Sequence, residues 1–265
     1  MKKYLVLLVL FTSCATNSYT GKRTLNFYGN NKVFPMAAQQ YDKFLSESEP
    51  SKGVDANRIK IIGSRIAHAA QKYYNHIGKP NALKDYQWEY NLVEDKTVNA
   101  WCMPGGKIVF YTGILPIAKN NDGIAAIMGH EVAHALADHG AQRMSAGTLQ
   151  QAGGILITLG TNNKDEATKN SILQAYGMTS NVAGMLPFSR KHESEADKIG
   201  LELMAIAGYD TKEAAKLWQR MSENSKGKAP AEILSTHPSN ERRIRDLGLH
   251  SSKADSLAKV IGIIR

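Results

Sequence analysis

"MGHEVAHALADHG", residues 128–140, sets two histidines four positions apart, a glutamate beside the first and a third histidine five further on. On an α-helix, residues four apart stand one turn above each other on the same face. His130 and His134 can therefore aim two imidazoles at one point, which suits the tetrahedral preference of zinc. Glu131 sits next to the first of them, where a carboxylate can take a proton from an attacking water. By the chain's own residue frequencies, a His-Glu-x-x-His match arises by chance on the order of once in a hundred such chains, so the motif alone decides little. A buried helix whose histidines merely tip the surface remains an alternative at this point.

The search for a third ligand works outward from there. One known pattern would place a histidine ten positions after His130 and a glycine three after His134, but this chain has Gly140 and Ala137 there. His139 falls one place short and lies about 140° round an ideal helix from His134, which assigns it a structural role. The other solution is a glutamate on a separate helix, followed four residues later by an aspartate. "RKHESEADKIG", residues 190–200, supplies Glu193 and Asp197 in that relation. Glu195 lies roughly 200° from Glu193 and should face elsewhere. Two histidines and one glutamate leave a fourth position for water, as in a catalytic rather than a structural zinc site. Asp197 can accept the free ring N–H of a ligand histidine and fix its tautomer.

Around these motifs the periodicity is mostly helical. Ile59, Ile62, Ile66, Ala70, Tyr73 and Ile77 recur at helical spacing and predict an amphipathic helix over 55–77. "YQWEYNLVED" (86–95) reads as a strand, and "NAWCMPGGKIVFYTGIL" (99–115) as two extended pieces around Pro104–Gly105–Gly106. Asp122 is placed to cap a helix running through the motif to about Met144. Residues 145–187 read as short helical pieces with loop signals and breakers. A helix over roughly 190–207 stops at Gly208, and Asp210 with Glu213 makes a capping-box-like start for one reaching about Ser225. The class expected is α+β, predominantly helical, with a small sheet near residues 86–112. The 265 residues suffice for one sizeable core.

The formal charge of +9 raises the question of nucleic acid. The basic residues are scattered with no basic stripe and interleaved aromatics, so the charge reads mainly as a solvated surface, with weak attraction to acidic lipid as the lesser alternative. The N-terminus is more informative. "MKKYLVLLVLFTSC" has a Lys2–Lys3 head, an apolar run too short to span a bilayer, and small residues before Cys14. It resembles a bacterial lipoprotein signal, departing from the usual pattern at Phe11, and implies that Cys14 is lipidated and becomes the mature N-terminus. The only other cysteine is Cys102, so no internal disulfide is left. The organisation expected is a signal peptide at 1–13, a lipid-anchored polar tether at 14–35, a catalytic domain at 36–250 and a polar tail at 251–265. Ala15 after the cysteine favours an outer-membrane tether facing the periplasm.

Four motifs in fixed order, "NAWCMPGGKIVFYTGIL", "HEVAH", "LPFSRKHESEADKIG" and "THPSNERRI", resemble the gluzincin metallopeptidases. The branch is that of the CAAX prenyl endopeptidases and the mitochondrial inner-membrane stress protease, and the likeness is to its compact, lipid-anchored bacterial members. The resemblance covers roughly residues 55–250 and implies a zincin-like fold and one Zn²⁺ per chain. It implies His130, His134 and Glu193 as the zinc ligands, Glu131 as base and Asp197 as support to a ligand. It further implies that His237 stands near the metal, either stabilising an oxyanion or occupying the open position at rest, and that Arg243 orders this region. A strand over Asn99, Ala100, Trp101, Cys102 and Met103, or else over Lys107–Tyr111, would lie along the cleft and receive an extended substrate. Cys102 itself reads as a small buried side chain. The implied activity is endoproteolysis of misfolded or unassembled envelope proteins. The competing reading is a non-catalytic lipoprotein that binds such proteins as a chaperone-like module.

Overall fold

The computed structural model describes residues 14–225, 232–238 and 241–263, so the expected signal peptide at 1–13 lies outside the described residues. Two helices come early, α1 (Asn30–Ser46) and α2 (Val54–His76). The helix expected at 55–77 is α2; Ile59, Ile62, Ile66 and Ala70 of the expected stripe are buried, Tyr73 and Ile77 are half-buried, and Tyr74 takes the buried place beside Tyr73. Each such aliphatic side chain contributes about 1.5–3 kcal/mol relative to exposure.

The sheet has three strands, β3 (Glu89–Val93), β4 (Ala100–Met103) and β5 (Lys107–Tyr111), in the order β3-β5-β4. β5 runs parallel to β3, with Asn91 opposite Val109, and antiparallel to β4, with Trp101 opposite Val109. The β4–β5 turn needs glycine at two positions, Gly105 at φ 84° and Gly106 at φ 90°. A side chain at Gly106 would also strike the Trp88 ring at 2.6 Å. β5 is buried along Ile108–Phe110, as expected of a strand with neighbours on both edges.

After a short helix α3 (Leu115–Ala118), helix α4 (Asn121–Leu136) carries the His-Glu-x-x-His motif. Its cap is Asn120, whose side chain accepts from the Gly123 N–H at 2.7 Å; the expected cap Asp122 lies two residues further on, within the first turn, and instead accepts from the Asp210 N–H. Every residue of α4 from Gly123 to Leu136 is buried. It does not run on to Met144. Asp138 adopts a left-handed conformation, φ 57°, and the chain restarts in a new direction as α5 (His139–Gly160). Residues 145–187, expected to be short pieces, form the rest of α5, α6 (Glu166–Thr179) and a π-helical turn at Ser180–Met185. α7 (Leu186–Ile206), α8 (Lys212–Asn224), α9 (Glu232–Thr236) and α10 (Glu241–Val260) follow among the described residues.

α4 and α7 cross at two glycines. A Cβ built on Gly129 would sit 2.9 Å from the Gly200 carbonyl oxygen, and one on Gly200 would sit 3.0 Å from the His130 nitrogen. Only residues without side chains let the two backbones meet there.

Both ends differ from expectation. The tether at 14–35 carries a hairpin of β1 (Cys14–Thr16) and β2 (Arg23–Leu25). Asn17 Nδ2 donates to the Leu136 carbonyl and to Asp138, each at 2.8 Å, and Tyr19 stacks on Tyr73 with ring centroids 4.2 Å apart. Polar composition concealed this docking, because the asparagine is there to satisfy the end of α4. The tail expected at 251–265 is helical to Val260, with Ser251, Ala254 and Ala258 buried. Small residues at helical spacing make a buried face that carries little hydrophobic signal.

Candidate metal centre

α4 presents His130 and His134, α7 presents Glu193, and the short segment after α9 presents His237. All four are buried, and one donor atom from each lies within 4.8 Å of every other. His130 Nε2 stands 3.2 Å from both His134 Nε2 and His237 Nδ1. The Glu193 carboxylate lies 3.3 Å from His130 Nε2, 3.4 Å from His134 Nε2 and 3.1 Å from His237 Nδ1.

These separations test whether zinc fits. With bonds of about 2.0–2.1 Å to nitrogen and oxygen, the edges of a tetrahedron around the ion are about 1.6 times longer, or about 3.3–3.4 Å. With Glu193 Oε2 as the carboxylate donor, four of the six edges measure 3.1–3.3 Å, near that value, and the other two stay within 4.8 Å. Three imidazole nitrogens turned towards one point cannot all share protons, whereas lone pairs converging on a cation can. The residues present therefore fit zinc.

A shell of partners orients these donors. His130 Nδ1 lies 3.0 Å from Asp197 Oδ1. Arg243 donates to both Asp197 oxygens at 2.7 Å, to the Pro238 carbonyl at 2.9 Å, and approaches Glu193 at 3.1 Å. One guanidinium thus ties α7 to the segment bearing His237. Burial opposes the charge on Asp197, but His130 and Arg243 outweigh it and hold its carboxyl below the usual range. Burial likewise opposes Glu193, and hydrogen bonds from the three histidines hold it well below the carboxylate range. Burial pushes His134 well down, so it stays a neutral imidazole, the form that binds metal.

Glu131 is buried beside the cluster. Its Oε1 has no hydrogen-bond partner among the described residues and lies 3.5 Å from His237 Nε2. A carboxylate oxygen left open at this place is positioned to receive a proton.

Two partners escaped the sequence reading. His139, given a structural role, reaches back so that its Nδ1 meets His134 Nδ1 at 3.0 Å, while its Nε2 meets Glu195 Oε2 at 3.1 Å. The 140° offset assumed one continuous helix, and the left-handed Asp138 removes that premise. Glu195 does point away from the donors, as expected, but towards His139. Trp218 on α8 was not singled out. It faces His130 edge-on at 5.3 Å and lies under the Arg243 guanidinium at 4.3 Å. Its signal was the apolar face Leu217, Trp218 and Met221, which reads only as core.

The substrate-strand expectation divides. β5 is bracketed on both edges, so Lys107–Tyr111 has no edge to offer. β4 is the edge strand and packs against α4. The Tyr111 N–H donates to the Asn99 carbonyl, and alternation along the ladder turns the backbone groups of Ala100 and Cys102 away from β5. The Ala100 N–H is taken by Asn99 Oδ1, and Asn99 Nδ2 donates to Glu232. Trp101 donates to the Tyr111 hydroxyl, and Met103 packs on the small cluster around Tyr41. Burial pushes the Cys102 thiol well up, and the Glu131 charge adds to it, so it stays protonated. Cys14 is exposed at the start of β1.

A helix-borne His-Glu-x-x-His, a glutamate from a crossing helix and a three-stranded sheet ending in a free edge strand define a zincin-like fold. Residues 63–249 match the model of peptidase family M48, and the chain belongs to that family. Among its relatives, the mitochondrial metalloendopeptidase OMA1 of Schizosaccharomyces pombe is 40% identical over 170 residues, 63% of this chain and 48% of the relative. OMA1 of Saccharomyces cerevisiae is 35% identical over 208 residues, 76% of this chain and 57% of the relative. The beta-barrel assembly-enhancing protease of Escherichia coli is 25% identical over 191 residues, 66% of this chain and 37% of the relative. The chain thus spans about half the length of the curated relatives it matches first.

Proposed function

We propose that the protein is a zinc-dependent endopeptidase of the bacterial cell envelope that hydrolyses internal bonds of misfolded or unassembled envelope proteins. The observation that carries this reading is the convergence of His130, His134, Glu193 and His237 with Glu131 open beside them. Bound there, zinc would lower the pKa of a water towards about 7 and polarise the scissile carbonyl. Glu131 takes the water's proton and passes it to the leaving amine. An extended substrate adds to the free edge of β4 through main-chain hydrogen bonds, which ask little of its sequence. Relatives named for β-barrel assembly favour unassembled outer-membrane proteins as substrates. A lipid on Cys14 would hold the domain on the outer membrane, facing the periplasm. Labelled fatty acid should enter the wild type and not Cys14→Ser.

The deciding experiment uses a labelled unfolded protein. Cleavage should stop with chelator and return with zinc, and Glu131→Gln should lower it about 10²–10⁴-fold while the zinc content stays at one per chain. Wild-type turnover in that variant would end the assignment of the base.

One observation favours the second reading, a chaperone-like binding module. His237 Nδ1 stands at the fourth corner of the donor set, where the attacking water must enter. His237→Ala separates its two roles. A loss of about 10²–10³-fold marks an oxyanion donor, and a gain marks a residue that closes the site at rest. A zinc-loaded wild type and His237→Ala that both retain unfolded protein without cutting it would establish the binding module instead.

A further inference from the structure

Of fourteen large exposed hydrophobic side chains among the described residues, nine lie between Met144 and Leu186. They belong to the helical hairpin α5–α6 and the turn that follows it. Residues 144–163 carry no charged side chain, and neither do residues 170–189. The arms are sewn together on one side, where Tyr176 donates to the Gln150 carbonyl at 3.0 Å and Gln150 donates to Ser180 at 2.8 Å. Tyr176 fits over Gly153, where a Cβ would meet its hydroxyl at 2.1 Å.

At about 100° per residue, Leu149, Ala152, Ile155, Leu156 and Leu159 fall within one third of the circumference of α5. Ile172, Ala175 and Met178 do the same on α6, and Val182 follows in the π-helical turn beyond it. Both stripes lie about 130° from the seam in the same rotational sense, so antiparallel packing sets them on one face of the hairpin. That face is exposed, with Ile155 at 61%, Leu156 and Leu159 at 68% and Met178 and Val182 at 66%.

The geometry points to a bilayer interface rich in anionic lipid as the occupant of this face, with the two arms lying in the plane of the membrane. Charge is one argument. Over residues 143–191 five cations stand against two carboxylates, and they sit only at the roots, Arg143 and Arg190–Lys191, and at the tip, Lys164 to Lys169. Apolar side chains between basic ends suit the boundary of acyl chains and phosphates. The charged tip opposes insertion end-on, and no helix among the described residues is long and apolar enough to cross a membrane. Position is the second argument. β1 begins at Cys14 and pairs with β2, and the residues just after β2 dock on the root of α5, Phe27 N–H on Ser145 at 3.0 Å and Tyr28 with Thr148 at 2.8 Å. A lipid on Cys14 would therefore deliver this hairpin to the surface it fits, and one acyl signal with one apolar face makes a firmer anchor than either.

The test uses the mature chain from residue 14 onward carrying Cys14→Ser, so that no acyl group contributes. Vesicles of phosphatidylethanolamine and phosphatidylglycerol should float it, and vesicles of phosphatidylcholine should float it weakly. The triple change Ile155→Gln, Leu156→Gln and Leu159→Gln should reduce flotation by at least about fivefold. Equal flotation of both proteins, or none of either, overturns the proposal. So does a wild type that sediments as a dimer while the triple variant sediments as a monomer, because a second copy would then cover the face. Should the triple variant fail to fold, an environment-sensitive dye on Leu156→Cys should shift to the blue with anionic vesicles. The same dye on Asn170→Cys, off the stripe, should not. Identical responses at the two positions refute the docking.

Discussion

Helix α4 and the hairpin α5–α6 are joined by two residues, yet they invert the usual placement of side chains. α4 hides two histidines and a glutamate, and the hairpin shows leucine and isoleucine to the outside. Both are rich in Ala, Gly and aliphatic residues, so composition does not separate them. What separates them is company. α4 is surrounded by α2, α7, α8 and β4, while the hairpin packs on itself, on the end of α4, and on β2 with the segment after it. Polar groups are tolerated inside α4 because each ring nitrogen or carboxylate faces a partner or the donor cluster. The outer apolar stripe of the hairpin stays exposed, and its helical spacing marks a surface rather than chance exposure.

Four measurements would break or sharpen that contrast. Met128→Ala in α4 should lower the unfolding free energy by about 2–5 kcal/mol in urea titrations, since it empties a fully buried site. His139→Ala should weaken zinc binding about 10–100-fold in a competition assay, because it takes away the group facing His134 Nδ1. A smaller effect concerns alkali. Burial pushes Tyr41 up to about 12, so the folded protein keeps a proton that the unfolded chain releases near pH 10. The stability this gives is complete below pH 10 and is lost as pH rises to 12, and Tyr41→Phe should flatten the urea midpoint over that window. Leu156→Ala should change stability least, within about 0.5 kcal/mol, which calorimetry can check. A large loss there would mean that the hairpin face is core after all.

Local periodicity made much of the fold legible. The stripe of α2, the turn at Gly105–Gly106 and the stop at Gly208 are each set by the residues that form them. The meeting of His130, His134 and Glu193 was readable too, because i,i+4 spacing on two helices restricts what can converge. Long-range partners were not. Nothing in "ADHG" announces that Asp138 turns left-handed and swings His139 behind His134. The docking of Asn17 under the last turn of α4 depends on a carbonyl 119 residues away. The parallel pairing of β3 with β5 joins strands that are not neighbours in sequence, and no local pattern encodes it.

The glycine crossing of α4 and α7 bears on how the protein is put into service. Gly129 and Gly200 fix the distance between the two helices through main-chain contact, and that contact owes nothing to an ion. Small zinc modules collapse when stripped because the metal is what holds them. Here the backbone contact at Gly129 and Gly200 does not run through the ion, which predicts that the fold outlasts removal of zinc. Stripping and reloading the site should then be a reversible exchange at constant shape.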